Sequence, residues 1–341
     1  MNYKVLTCGS NGNYQLGTGD NEDHDKLQEV ALPPEAKLSG VRQFAFGGNH
    51  TFILLEDGLL FATGNNEHGQ CGIPGPQTLF NFTKVTGSWK HVSAGWEFSV
   101  LCSMDNRVFT CGYGPKGELG LGPKITRAET LHEVKKEWKD VVAMELSINH
   151  TIVKLADGTF FGWGASRKHQ MGEFPGVPNK KGDLKPLAQL WEPTKLNLTA
   201  ESVKLGRERT LLLGESLRVI GKDPLEIDVR ANKARAMWSS IHYSYEVDGS
   251  LVVSSVGNNS HGQLFQYDVP EKIVDFEVGS EHGILLTESG KVYAWGWGEH
   301  GNCGERKDDS VTFNFLNLIY NGTSKVTKMA CGLATTWLVV E

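Results

Sequence analysis

Between Trp295 and Glu305 the chain reads WGWGEHGNCGE, which places a carboxylate at Glu299, an imidazole at His300, an amide at Asn302 and a thiol at Cys303. Carboxylate, imidazole and thiolate are the groups that bind zinc, and a thiol beside an imidazole can also act as an activated nucleophile. Either chemistry requires these residues to be special to this segment. If the segment is one copy of a repeat, each residue must be judged against its counterparts in the other copies.

The segment is repeated. GSNGNYQLG begins at Gly9, GNNEHGQCG at Gly64, GYGPKGELG at Gly112, GNNSHGQLF at Gly257 and GWGEHGNCG at Gly296. GWGASRKHQMG, beginning at Gly162, reads as a copy with two extra residues, and VIGKD around Gly221 as a degraded one. Seven copies in 341 residues give about 49 residues each, inside the roughly 40–50 typical of propeller repeats. A second element alternates with the first: FGGNHTFILL from Phe46, AGWEFSVLC from Ala94, LSINHTIVKL from Leu146, LGRERTLLL from Leu205, SSIHYSYEV from Ser239, VGSEHGILL from Val278 and CGLATTWLVV from Cys331. Most copies are followed by a hairpin signal such as Asp57-Gly58, Asp157-Gly158 or Asp248-Gly249.

Short strands, glycine-rich loops and little helical periodicity predict an all-β protein whose units must stack to bury their faces. The expected fold is a seven-bladed β-propeller of four-stranded blades, a single domain over residues 1–341. The chain ends on a strand that lacks a hairpin partner and begins with YKVLTCG, so the two ends should close one blade together.

Repeat register then removes the metal site. Cys303 shares its column with Leu16, Cys71, Leu119, Met171 and Leu264, an apolar packing position where cysteine acts as a small hydrophobe. Asn302 aligns with Gln15, Gln70, Glu118, Gln170 and Gln263, a polar column suited to bonding loop backbone. His300 aligns with His68 and His261 but also with Asn13 and Lys116, as an exposed loop position would. In the second element His50, His150, His242 and His282 recur where other copies have Phe98, Arg209 and Thr335, which reads as a turn-fixing histidine. Metal-dependent hydrolysis is left without a ligand set.

Residues that depart from their columns point to binding. Trp163 and Trp297 stand where other copies have Ser10, Asn65, Tyr113 and Asn258. Trp96 stands where others have Gly48 and Ser280, and Glu97, Glu208 and Glu281 replace Asn or Ala. Large aromatics at loop positions otherwise small and polar predict a protein-binding surface; the competing role is plugging the central channel. Trp238, Trp295 and Trp337 lie on or beside strands, where packing is expected. Residues 173–200, rich in Pro and Lys, read as an insertion. The acidic run Asp20–Asp25 reads as a solvated loop.

Composition narrows the function classes. There are 34 basic and 40 acidic residues, a net charge of −6, with no basic stripe of the kind nucleic acid requires. No stretch approaches the ~20 apolar residues that span a bilayer. Six cysteines never form CxxC, which predicts reduced, buried thiols and an intracellular, cytoplasmic or nuclear, location.

The GxNxxGQLG and AxGxxHT elements resemble those of the regulator-of-chromosome-condensation propeller family over essentially the whole chain. More narrowly, MWSSIH, SHGQLF, GSEHGILL, VYAWGWGEHGNCG and CGLATTWLV are similar to the fungal killer-toxin-insensitivity group within it. That resemblance implies a non-enzymatic scaffold with no cofactor of its own. It would form a heterodimer with a small CSL-type zinc-ribbon protein, and zinc or iron would belong to the partner. The pair would support diphthamide synthesis on elongation factor 2 and Elongator-dependent modification of the tRNA wobble uridine, and would meet components of both pathways. The expected partner-binding residues are Trp96, Glu97, Trp163, Trp238, His242, Glu281, His282, Trp297, Glu299 and His300. The alternative is guanine nucleotide exchange on a small GTPase. Against it stand the lack of a basic N-terminal tail and of any evident extra hairpin in the third blade.

Overall fold

Each repeat folds into an antiparallel meander because its apolar runs are strand-length and end in turns that tolerate positive φ. In the first blade the strands Val41–Phe46, His50–Leu55, Leu60–Asn65 and Thr78–Val85 are hydrogen-bonded in that order. Gly58 closes the hairpin between the second and third with φ +86°, and Leu59 donates its amide to Asp57 Oδ1 at 3.1 Å. The second strand is buried at all six positions, because neighbouring blades cover both of its faces. The computed structural model describes residues 3–306 and 308–341, and seven such blades form the ring.

The blades follow in chain order, opening with Val41–Phe46, Trp89–Ala94, Val141–Leu146, Ser202–Leu205, Lys233–Ala236, Ile273–Val278 and Val326–Cys331. The seventh is composite, as expected from the two chain ends. Thr335–Val340 pairs with Lys4–Gly9, from Lys4↔Val340 to Gly9↔Thr335, and His24–Glu29 adds the outer edge. Among the described residues six blades have four strands and the fifth has three, which corrects the uniform expectation. The segment after Gly257 joins no ladder. Phe265 turns inward onto Trp295, ring centroids 5.1 Å apart, and its amide donates to Ser255 Oγ at 2.8 Å. Side-chain packing replaces the fourth strand there.

The hydrophobic core is divided among the blade interfaces. Trp163, Trp295 and Trp337 are each fully buried in different clusters that join neighbouring blades. The opening strands surround the central channel and clasp one another through polar side chains. Gln43 Nε2 donates to Val92 O at 2.7 Å, Lys204 pairs with Glu145, and Arg235 Nε pairs with Glu277 at 2.7 Å.

One glycine column fixes the repeat register. Gly9, Gly64, Gly112, Gly164, Gly221, Gly257 and Gly296 all have φ between +97° and +134°. At Gly64 a Cβ would lie 2.4 Å from the Asn49 carbonyl oxygen, so no other residue fits. The third-blade member is Gly164, which pairs with His150 as Gly64 pairs with His50. The apparent two-residue insertion at Gly162 is therefore a misregister, and the third-blade loop has the common length.

The proline- and lysine-rich stretch also divides differently from the expected 173–200. Gln189–Leu196 is the regular outer strand of the third blade. The added element is a short hairpin in which Val177–Pro178 pairs with Leu184–Lys185. An extra hairpin does project from the third blade, contrary to the sequence reading, and Leu184 at its base is 70% exposed. Its strands are two residues long, too short for a periodic signal.

Candidate functional site: the loop face at the channel mouth

The loops joining first to second strands converge at one end of the channel. Two residues before the partner of each column glycine they carry Gly48, Trp96, Ile148, Arg207, Trp238, Ser280 and Leu333. Backbone bonds join these loops into a belt: Gly48 N to Trp96 O at 2.9 Å, Trp96 N to Ile148 O at 3.2 Å, and Trp238 N to Ser280 O at 2.8 Å. A Cβ at Gly48 would come 2.8 Å from the Trp96 carbonyl oxygen and 3.2 Å from its ring, so the small residue in one blade makes room for the large one in the next.

Trp96 and Trp238 meet over the mouth with ring centroids 6.2 Å apart, and Trp96 is 42% exposed. The Arg207 guanidinium lies over the Trp238 ring at 5.1 Å, a cation–π contact. On one side of the indole pair lies a recess of about 250 Å³ lined by Trp96, Trp238, Trp297, Glu281, Glu299 and His300. On the other lies one of about 310 Å³ lined by Trp96, Trp238, Glu97, Tyr113, Lys116 and Arg207. The channel-plug role and the surface role of tryptophan are thus combined in this pair.

Neighbouring blades hold these side chains in place. His261 stacks on the Trp297 ring, centroids 4.4 Å apart and planes 10° apart. Glu281 accepts from Ser239 Oγ at 2.7 Å and Gln263 Nε2 at 3.1 Å. His300 Nδ1 lies 2.7 Å from Asp23 Oδ2, and His68 Nε2 lies 3.8 Å from Glu97 Oε1. The His68, His261 and His300 column therefore reaches across to the next blade each time. Asp23 also accepts the Asn11 amide at 2.7 Å, so the acidic run is clasped to the loop face while most of its side chains stay in solvent.

Three expected site residues are not on this face. Trp163 is 0% exposed, in the third blade's third strand, and its indole N–H donates to Glu118 O at 2.8 Å. Its true counterpart is Trp295, whose indole donates to Gln263 O at 2.9 Å. His282 is buried with its ring over Gly279 and Nε2 3.1 Å from Thr336 Oγ1 in the next blade. His242 lies two residues beyond the histidine column, where the fifth blade has Ser240, and its Nε2 is 3.0 Å from Ser240 Oγ. Burial lowers His50, His150, His242 and His282 to about 3, so all four are neutral inside the ring. Arg207 was missed by sequence reading, although it shares the Trp96 column.

Of the residues that first suggested chemistry, Asn302 and Cys303 are packed into the loop. Cys303 is fully buried, and burial pushes its thiol well above the usual range. Asn302 Nδ2 donates to Trp297 O at 2.8 Å, as Gln70 Nε2 donates to Asn65 Oδ1 at 2.9 Å. Among the described residues no group of three or more His, Cys, Asp and Glu is placed to hold a metal ion.

The architecture and its indole-capped loop face define a seven-bladed propeller with a recessed surface at the channel mouth. Models of the Regulator of chromosome condensation (RCC1) repeat match residues 4–54, 57–102, 41–70 and 273–302. An RCC1 repeat-containing protein of Schizosaccharomyces pombe is 30% identical over 99% of this chain and 99% of its own. The secretion-regulating guanine nucleotide exchange factor of Bos taurus is 25% identical, over 90% of this chain and 77% of its own. The crystal structure of Prp20p from Saccharomyces cerevisiae superposes with a TM-score of 0.80 at 18% identity, covering 99% of this chain and 91% of that one. The chain belongs to the RCC1-repeat family.

Proposed function

We propose that this propeller is a non-enzymatic partner protein of the fungal alpha-tubulin suppressor type in the killer-toxin-insensitivity group. It docks a small CSL-type zinc-ribbon protein on the loop face and thereby supports diphthamide synthesis on elongation factor 2 and Elongator-dependent tRNA wobble-uridine modification. The observation that carries a docking role is the convergence of Trp96, Trp238 and Trp297 on one recess. Buried aromatic anchors beside polar groups are what protein interfaces are built from. The zinc and any iron belong to the partner. The test is affinity purification of the chain from cells with identification of what it retains, followed by titration with the purified zinc-ribbon protein. A 1:1 complex is expected, and recovery of a small GTPase without any zinc-ribbon protein would overturn the reading.

A second reading, nucleotide exchange on a small GTPase, is favoured by the third-blade hairpin with its exposed Val177 and Leu184. Release of labelled GDP from candidate GTPases tests it, with a chain in which residues 176–186 are replaced by a short glycine linker as control. No acceleration by the intact chain removes this reading.

A further inference from the structure

The recess beneath the three indoles has an unbalanced composition. Among the described residues its lining includes the carboxylate-bearing Glu281 and Glu299 but no lysine or arginine. Its two histidines are already engaged: His50 is buried and bonded to Ser99 Oγ at 2.8 Å, and His300 is paired with Asp23. Glu299 is exposed and its carboxylate makes no ion pair among the described residues. Glu281 is held in place by Ser239 and Gln263, which are neutral, and it forms no ion pair among the described residues. Indole faces attract cations through their negative quadrupole, and a carboxylate beside them adds a full opposite charge.

We propose that this recess binds the guanidinium of an arginine side chain presented by the docked partner protein. This rests on the loop-face docking reading and names the chemistry the partner must bring. Arginine suits the site because its planar, weakly hydrated head stacks on aromatic rings while its N–H groups reach carboxylate oxygens. The protein already stacks an arginine of its own on one of these indoles, Arg207 on Trp238, outside this recess.

The probe is N-acetyl-arginine amide, followed through the indole N–H resonances of the folded, full-length protein, with N-acetyl-citrulline amide as the uncharged analogue of the same shape. Selective shifts at Trp96, Trp238 and Trp297 with the arginine probe are expected. Glu299→Gln should weaken that binding by about tenfold, the loss of one charge contact. Glu281→Gln should act in the same direction, and Glu299→Gln keeps the test open if Glu281→Gln disturbs its loop. Equal shifts with the citrulline probe, or tighter binding of tetramethylammonium than of the arginine probe, would overturn the assignment to arginine. The zinc-ribbon titration separates the two readings. If the zinc-ribbon protein binds while the arginine probe shifts nothing, the cation site falls and the docking reading stands. If the probe binds and the zinc-ribbon protein does not, the reverse holds.

Discussion

Trp96 from the second blade and Trp238 from the fifth touch across the mouth of the channel, ring centroids 6.2 Å apart. Residues 142 positions apart in the chain thus share one surface feature, because the ring brings the same loop of every blade to the same end.

Exposure separates the tryptophans by role. Trp96→Ala should leave the melting temperature nearly unchanged and weaken partner binding by about 2 kcal/mol or more. Trp163→Ala should instead cost about 3–5 kcal/mol of stability, because it empties a fully buried position and strands the Glu118 carbonyl. Thermal melts and a binding titration on both variants distinguish the roles. Equal destabilisation by the two would mean that Trp96 is also structural.

Acid should weaken the fold well before carboxylates titrate. His50, His150, His242 and His282 are lowered by burial from 6.5 to about 3. Between those values the unfolded chain takes up protons that the folded ring refuses, so stability is full above pH 6.5 and falls as pH drops toward 3. Each histidine contributes a slope of up to about 1.4 kcal/mol per pH unit in that window. Urea midpoints at pH 7.5, 6 and 5 should decline progressively, and a flat series would contradict the buried neutral assignment.

Where a glycine stands three residues before a buried histidine, as Gly47 does before His50 and Gly279 before His282, it is a steric requirement. A Cβ on Gly47 would lie 1.9 Å from the His50 ring, whereas one on Gly12 would meet nothing within 4 Å. Gly47→Ala should therefore destabilise by about 1–3 kcal/mol through overpacking. Gly12→Ala should be neutral in the same denaturant titration.

Along the channel wall, Glu277 pairs with Lys233 at 2.6 Å and Arg235 at 2.7 Å, and is only 15% exposed. Burial opposes its charge, yet Arg235 and Lys233 hold its carboxyl below the usual value. Glu277→Ala leaves Arg235 without its ion-pair partner between the fifth and sixth blades, while Lys233 keeps Asp275 at 2.7 Å, and should cost about 2 kcal/mol, less than for a fully dry site. Because the stranded Arg235 rather than a cavity is responsible, Arg235→Met on the Glu277→Ala background should recover part of the loss in chemical denaturation.

The blade count, the composite closing blade and the packing role of Cys303 are determined by the sequence alone, because each is written seven times or once at each chain end. Repetition averages out local accident, and a column of Leu, Met and Cys has one physical reading. The third-blade register was also present in the residues. Gly164 stands eight before Gly172, as Gly64 stands eight before Gly72 and Gly296 eight before Gly304. It is hidden because GWG occurs at both Gly162–Gly164 and Gly296–Gly298, and a slip of two residues in a strand keeps every side chain on its own face. Only the strand pairing separates Trp163, which faces the core, from Trp297, which lines the recess. The tertiary structure alone decided that Trp96, Trp238, Trp297, Glu281 and Glu299 share a site. Their contacts depend on closure of the ring, which unites loops from distant repeats whose local sequences carry no trace of one another.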